Sequence, residues 1–281
     1  QSDEESVYWV ERGGREETQF SLHAAPVNVA DRLRPLLFGA GKGIVMTSAT
    51  LGVGDPHLGY FRGRVGAERA RALCIGSPFD YQKQMRIRIH KSVPDPGTPK
   101  YDELLAEGIR LSVLESDGRA FVLFTSYRTM RDAAKRLESF FRKQGWRVLM
   151  QGEGMPRHRM IEEFRSDVHS VLFGTDSFWT GVDVPGESLS NVIITRLPFA
   201  VPDHPITASR IEHLEAQGMN AFSEYSVPEA ILKLRQGVGR LIRNASDTGI
   251  CAILDNRILT KPYGRAFLAS LPECPTEVMR D

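Results

Sequence analysis

From residue 101 onward the chain alternates short, wholly apolar runs with longer amphipathic ones, and this alternation constrains its fold more than any other feature. Residues 121–124, 146–150, 171–173, 192–194 and 250–254 read as strands. The stretches 101–115, 128–144, 156–165, 206–217, 229–244 and 263–269 read as helices. Gly145 closes the helix at 128–144, and Pro156 sits in the first turn of the helix that follows it. A strand that is apolar at every position is covered on both faces, and helices between such strands supply the cover. The expected class is therefore α/β, a mostly parallel sheet flanked by helices. Ligands of such sheets bind beyond the carboxyl ends of the strands.

Unusual residues follow these strands. Thr125-Ser126-Tyr127 comes after the run at 121–124, Asp255-Asn256-Arg257 after 250–254, and a loop of small and polar residues after 171–173. That loop holds Gly174, Thr175, Asp176, Ser177, Phe178, Trp179, Thr180, Gly181, Val182 and Asp183. Glycines and small hydroxyl residues there let backbone amides approach a phosphate. Thr125-Ser126 also reads as a plain helix N-cap. Phe178 and Trp179 read either as anchors packed on the core or as rings that cover a neighbouring domain or stack on a base.

The stretch 233–244, K-L-R-Q-G-V-G-R-L-I-R-N, is the most specific. Helical spacing places Gln236, Arg240 and Arg243 on one face, and Ile231, Leu234, Val238, Leu241 and Ile242 on the opposite, buried face. Gly237 and Gly239 inside a helix cost about 1 kcal/mol each relative to alanine, so something is expected to approach the helix backbone closely. Two arginines and a glutamine in a row form a donor array suited to phosphate oxygens.

The first hundred residues lack this rhythm. Val7-Tyr8-Trp9-Val10 and residues 20–24 read as two strands of an edge hairpin, and 29–38 as a helix interrupted by Pro35. Ile44-Val45-Met46 reads as a strand leading into Thr47-Ser48-Ala49-Thr50-Leu51, and 92–99, S-V-P-D-P-G-T-P, as a linker. The expected division is a remnant at 1–91, a linker at 92–99 and a complete unit at 100–281. Gly39-Ala40-Gly41-Lys42-Gly43 imitates a phosphate loop, but Leu36 stands where the first glycine belongs and Gly43 where Ser or Thr belongs. It reads as a turn.

Composition narrows the classes of function. A net charge of +1 gives no global field that favours polyanions. Locally, Arg128, Arg131, Lys135, Arg136, Arg142, Lys143 and Arg147 form a basic run, read first as a solvated helix face. Three dispersed cysteines, Cys74, Cys251 and Cys274, form no C-x-x-C pair and argue against zinc. No apolar run is long enough to span a membrane. A reducing, cytoplasmic setting is expected.

In order along the chain, T-S-A-T-L at 47–51, V-L-F-T-S-Y at 122–127, G-T-D-S-F-W-T-G-V-D-V-P-G at 174–186 and Q-G-V-G-R-L-I-R at 236–243 resemble motifs III, IV, V and VI of superfamily-two helicases. The S-P-F-D-Y at 77–81 and L-P-F at 197–199 are similar to connecting sequences of the DinG/XPD group, the bacterial DinG type above all. The resemblance runs from about residue 22 to 271. It departs at Thr180, where the group often has Glu.

The resemblance implies a RecA-like second motor domain, preceded by the tail of the first, in an ATP-dependent DNA helicase. It implies that Arg240 and Arg243 act as arginine fingers on ATP, that Gln236 aligns them or the attacking water, and that Gly181 and Asp183 line the same cleft. Thr47, Ser48, Ala49 and Thr50 would couple phosphate sensing to DNA grip. Thr125, Ser126, Tyr127 and Thr175 would contact single-stranded DNA, with Phe178 or Trp179 as stacking elements. Translocation would run 5′ to 3′. ATP and Mg²⁺ would be held mostly by the first RecA-like domain of the same protein. Without Walker A and B motifs, the chain alone is expected not to hydrolyse ATP. The iron–sulfur cluster common in this group would sit in that first domain, and this chain lacks the clustered cysteines to hold one. Two alternatives remain: the helicase-like portion of a nuclease-linked relative, or a non-catalytic nucleic-acid-binding module.

Overall fold

The computed structural model describes residues 6–13, 18–39, 41, 43–181 and 188–279. The chain divides into two compact units, Gln1–Ile75 with Phe199–Leu232, and Gly76–Pro198 with Lys233–Asp281.

In the first unit, strands β1 (Ser6–Gly13) and β2 (Gln19–Pro26) form the expected antiparallel hairpin, with Trp9 opposite His23. That cross-strand pair stacks with ring centroids 4.9 Å apart. The helix expected at 29–38 is present but changes pitch. An α-helical turn, Ala30–Leu33, passes into a π-helical one, Arg34–Phe38, so Pro35 is absorbed without ending the helix. Residues 44–46 do not form a strand. Ile44, Val45 and Met46 are exposed, Val45 to 87%, as are Leu73 at 79% and Ile75 at 84%. The apolar run at 44–46 predicts a strand, but a strand needs a partner, and none pairs with it among the described residues. Ala40 and Lys42 of the glycine-rich turn lie outside the described residues.

The second unit carries one sheet of seven strands: β3 (Met85–His90), β4 (Ala120–Leu123), β5 (Arg147–Met150), β6 (Ser170–Gly174), β7 (Asn191–Ile194), β8 (Gly249–Ile253) and β9 (Thr276–Met279). Their order is β5-β6-β4-β7-β8-β3-β9, and every pairing is parallel. All residues of β4, β6 and β7 are buried. Helices Tyr101–Glu115, Tyr127–Gln144, Arg157–Ser166 and Gly264–Ser270 match the expected ones within a residue or two. Gly145, at φ 72°, ends the second of these in the left-handed conformation that favours glycine.

The division differs from the expected one in two respects. Residues 85–90, assigned to the remnant, form β3 inside the large sheet, between β8 and β9. Met85, Ile87 and Ile89 are buried beside Arg86 and Arg88, an alternation that marks a strand and was overlooked among the flanking charges. Residues 92–99 are accordingly a turn-rich connection within this unit, pinned by the fully buried Val93, and not a linker between domains. Residues 199–232 group with the N-terminal segment.

Candidate functional site

Because all seven strands run parallel, the segments following β4, β5, β6, β7 and β8 leave the sheet at one edge. Thr125 and Ser126 leave β4. Ser126 is the N-cap of helix Tyr127–Gln144, and its Oγ accepts the Thr129 amide at 3.5 Å. Thr125 and Ser126 are half-buried, and Tyr127 is 44% exposed.

Gln151, just beyond β5, ties these residues to the loop after β6. Its Oε1 accepts both the Thr175 amide at 2.7 Å and the Thr175 hydroxyl at 3.0 Å. Its Nε2 donates to Tyr127 Oη at 2.5 Å and to Ser177 Oγ at 3.0 Å. Gln151 was missed in the sequence. The rule that chemistry follows each strand would have found it, since Gln151-Gly152 stands at the carboxyl end of β5.

The loop after β6 makes one helical turn, Asp176–Trp179. Phe178 and Trp179 are fully buried, and Thr175 is 2% exposed. Of the two readings of Phe178 and Trp179, the packing is that of core anchors. Phe178 meets Phe121 edge-on at 6.0 Å, and Trp179 Nε1 donates to the Phe124 carbonyl at 2.8 Å. Two glycines make room for them. A Cβ on Gly174 would stand 2.5 Å from Phe178 Cβ, and one on Gly237 would stand 3.1 Å from Trp179 Cε3. The close approach expected at the glycines of 233–244 is therefore real at Gly237, and what approaches is an indole of the same domain.

Cations surround this turn. Lys233 pairs with Asp176 and lies 5.7 Å from the Trp179 ring centre. Arg157 donates to the Thr180 carbonyl at 2.7 Å and lies 5.4 Å from the Phe178 ring centre. Gly181 follows at φ 63°, where a Cβ would stand 3.3 Å from an Arg157 nitrogen. Asp183 lies outside the described residues.

The arginine row expected at 236–243 does not form. The helix is Val227–Val238, not 229–244. Its last α-type bond is Gly239 N to Arg235 O, at 2.8 Å. Arg240 N then reaches Gly237 O at 3.4 Å and Leu241 N reaches Val238 O at 3.1 Å, a tightening that stops the helix. Gln236 stands half-buried on the last helical turn. Arg240 turns inward and is 4% exposed. Its guanidinium donates to the Trp179 carbonyl and lies 6.0 Å from the Phe121 ring centre. Arg243 is half-buried in the segment beyond. The apolar side of the reading holds past the helix end, since Ile231, Leu234, Val238, Leu241 and Ile242 are all buried.

That segment is held from two sides. Asp247 Oδ2 accepts the Arg243 and Asn244 amides at 2.8 and 2.9 Å. The buried Gln84 points its Nε2 at the carbonyls of Asn244, Ala245 and Asp247, at 2.9, 3.1 and 2.9 Å. Beyond β8, Asp255 accepts the Leu197 amide at 2.8 Å and pairs with Arg257 at 2.6 Å. Burial works against the Arg257 charge, but the Asp255 hydrogen bonds and charge outweigh it and hold the guanidinium pKa above its usual value. Asp255 is thus a pin between β7 and β8, with its oxygens committed within the protein.

Thr47, Ser48, Ala49 and Thr50 lie in the first unit, the first three exposed and Thr50 half-buried. Thr50 N donates to Ser48 Oγ at 3.2 Å, a local turn.

Residues 109–274 match the family model described as helicase C-terminal domain. The chain belongs to this family. It is 41% identical over 268 residues to the ATP-dependent DNA helicase YoaA of Escherichia coli, covering 95% of this chain and 41% of that protein. It is 38% identical over 271 residues to the ATP-dependent DNA helicase DinG of Photobacterium profundum, covering 94% of this chain and 39% of the relative. It is 36% identical over 287 residues to the 3'-5' exonuclease DinG of Bacillus subtilis, covering all of this chain and 31% of that protein. The chain therefore spans between 31% and 41% of the length of these relatives. The solved structure XPD_APO aligns with a TM-score of 0.65 over 92% of this chain and 54% of its own, at 16% identity, a likeness of fold. The fold is that of RecA-like helicase domains, as the motif order implied. Among the described residues, no helix is long and apolar enough to cross a membrane.

Proposed function

We propose that this chain is the second motor domain, with part of the first, of an ATP-dependent DNA helicase that moves along single-stranded DNA. The observation that carries the reading is the join between the loop after β6 and the segment after helix Val227–Val238, made by Arg240 on the Trp179 carbonyl. In a motor, phosphate sensing and strand grip must move together, and this bond links the segments that would do each. Arg243 is the residue we assign to the terminal phosphates, and Gln236 the one we assign to aligning the attacking water. Arg240, being buried, serves chiefly to set the position of Arg243. Amide and guanidinium donors suit phosphate oxygens. Mg²⁺ prefers carboxylate and other oxygen ligands, and 236–243 hold no carboxylate, so we assign the metal to the first motor domain. Exposed Ile44, Val45, Met46, Leu73 and Ile75 support a sheet completed by that domain. Tyr127, Ser126, Thr125 and Ser177 form the polar edge we assign to the DNA backbone.

The test is ATP turnover of the full-length protein with and without single-stranded DNA. Arg243→Ala should lower DNA-stimulated kcat by about 10³-fold or more. Arg240→Ala should lower both kcat and thermal stability. This chain alone should show no Mg²⁺-dependent turnover. Stimulated turnover untouched by Arg243→Ala would refute the assignment, and none in the unmodified protein would leave a binding module. The exonuclease name of the Bacillus subtilis relative favours a second reading, a helicase-like portion serving a nuclease, which 3′-end release from labelled DNA by the full-length protein would reveal.

A further inference from the structure

A groove of about 460 Å³ opens between helix Tyr127–Gln144 and β5, running from Trp146 past the carboxyl end of the strand to Glu153. Phe141, Trp146, Val148 and Met150 form an apolar floor. Trp146, Val148 and Met150 occupy alternate positions, so they share one face of the sheet edge. Arg131 and Lys135, one turn apart on the helix, stand over this floor, and both are exposed. Among the described residues neither joins an ion pair, whereas their neighbours do: Arg128 with Asp132 at 3.8 Å and Arg142 with Glu138 at 2.5 Å. Strand β5 is the end of the sheet, and among the described residues no strand pairs with its outer side.

Three properties thus coincide: backbone groups of an open strand edge, an apolar floor, and two uncommitted cations above it. A nucleic-acid strand would use the cations but not the strand edge. Its regularly spaced phosphates would also meet Glu153 and Glu138, which line the same groove. A peptide uses all three, because it can add as a strand and place its charges to suit. We propose that this groove receives an extended acidic peptide. The backbone lies along the outer edge of β5, one large apolar side chain rests on Trp146, Val148 and Met150, and flanking carboxylates pair with Arg131 and Lys135. Strand geometry then dictates spacing, since residues on one face recur every second position. Carboxylates two residues either side of the apolar residue point the same way as it does.

The probe is a fluorescein-labelled heptapeptide, Thr-Asp-Thr-Phe-Thr-Asp-Thr, titrated with the intact chain and read by anisotropy. Saturable binding is expected. It should weaken about tenfold or more in Arg131→Glu/Lys135→Glu, and similarly when the peptide's Asp residues are moved next to its Phe. Arg136→Glu/Lys143→Glu changes the net charge equally on the same helix outside the groove and should leave binding intact. Circular dichroism confirms that both variants fold, and the rearranged peptide tests the idea on the unmodified protein. Absence of binding, equal loss in both double variants, indifference to the peptide's spacing, or displacement by oligothymidylate at lower concentration than by unlabelled peptide would each overturn the proposal.

Discussion

At the scale of single residues, the two glycines beneath the Phe178–Trp179 pair have opposite local and tertiary preferences. In isolation Gly237→Ala favours the helix by up to about 1 kcal/mol. In the folded protein the new methyl would stand 3.0 Å from Leu123 Cδ1 and 3.1 Å from the indole. Overpacking of that kind costs roughly 1–3 kcal/mol, so the variant should be less stable on balance. Gly174→Ala, whose methyl would fall 2.5 Å from Phe178 Cβ, should lose more. Urea unfolding midpoints measure both, and a variant as stable as the parent would mean that the pair is not seated as described. The sequence showed that close approach was needed at 237 but not by what, because the answer comes from a side chain 58 positions earlier.

At the scale of elements, the segment after helix Val227–Val238 has no secondary structure of its own, so its shape depends on Asp247 and Gln84. Asp247→Ala removes the acceptor for the Arg243 and Asn244 amides. Those two amides should then exchange with solvent about tenfold faster or more. Gln84→Ala should loosen the same segment by leaving the Asn244, Ala245 and Asp247 carbonyls without their amide donor. Hydrogen-exchange mass spectrometry over 239–248 decides, and unchanged rates in both variants would show that the segment is held by other contacts. Helix periodicity carried the reading through 244 because Leu241 and Ile242 continue the apolar spacing. What it could not register was the tightening after Gly239.

At the scale of the whole molecule, the large unit is built around β4, β6 and β7, with helices covering both faces. Tyr101 begins one covering helix and is 7% exposed. Burial raises its phenol from the usual 10 to about 12. The folded state therefore holds a proton that the unfolded chain has released between those values. This contribution to stability is complete below about pH 10 and lost as the pH rises toward about 12. Urea midpoints of the parent should fall across that window, and those of Tyr101→Phe should fall less steeply. Parallel slopes would place the alkaline sensitivity elsewhere.

The parallel α/β class, the positions of most helices and strands, and the order of the helicase motifs could be read from the sequence by itself. Those properties rest on local pattern: wholly apolar runs, helical spacing, and caps such as Ser126 and Gly145. Tertiary structure alone decided which way the motif residues face. Phe178 and Trp179 turn into the core because Gly174 nearby and Gly237, on a helix far along the chain, leave space for their rings. Arg240 turns inward because the Trp179 carbonyl accepts its guanidinium. Gln151 becomes a hub because parallel strands bring the ends of β4, β5 and β6 together. Strand β3 joins the large sheet because β8 and β9, more than 150 residues later, supply its partners. Each of these depends on which distant atom is near, and local pattern carries no record of that.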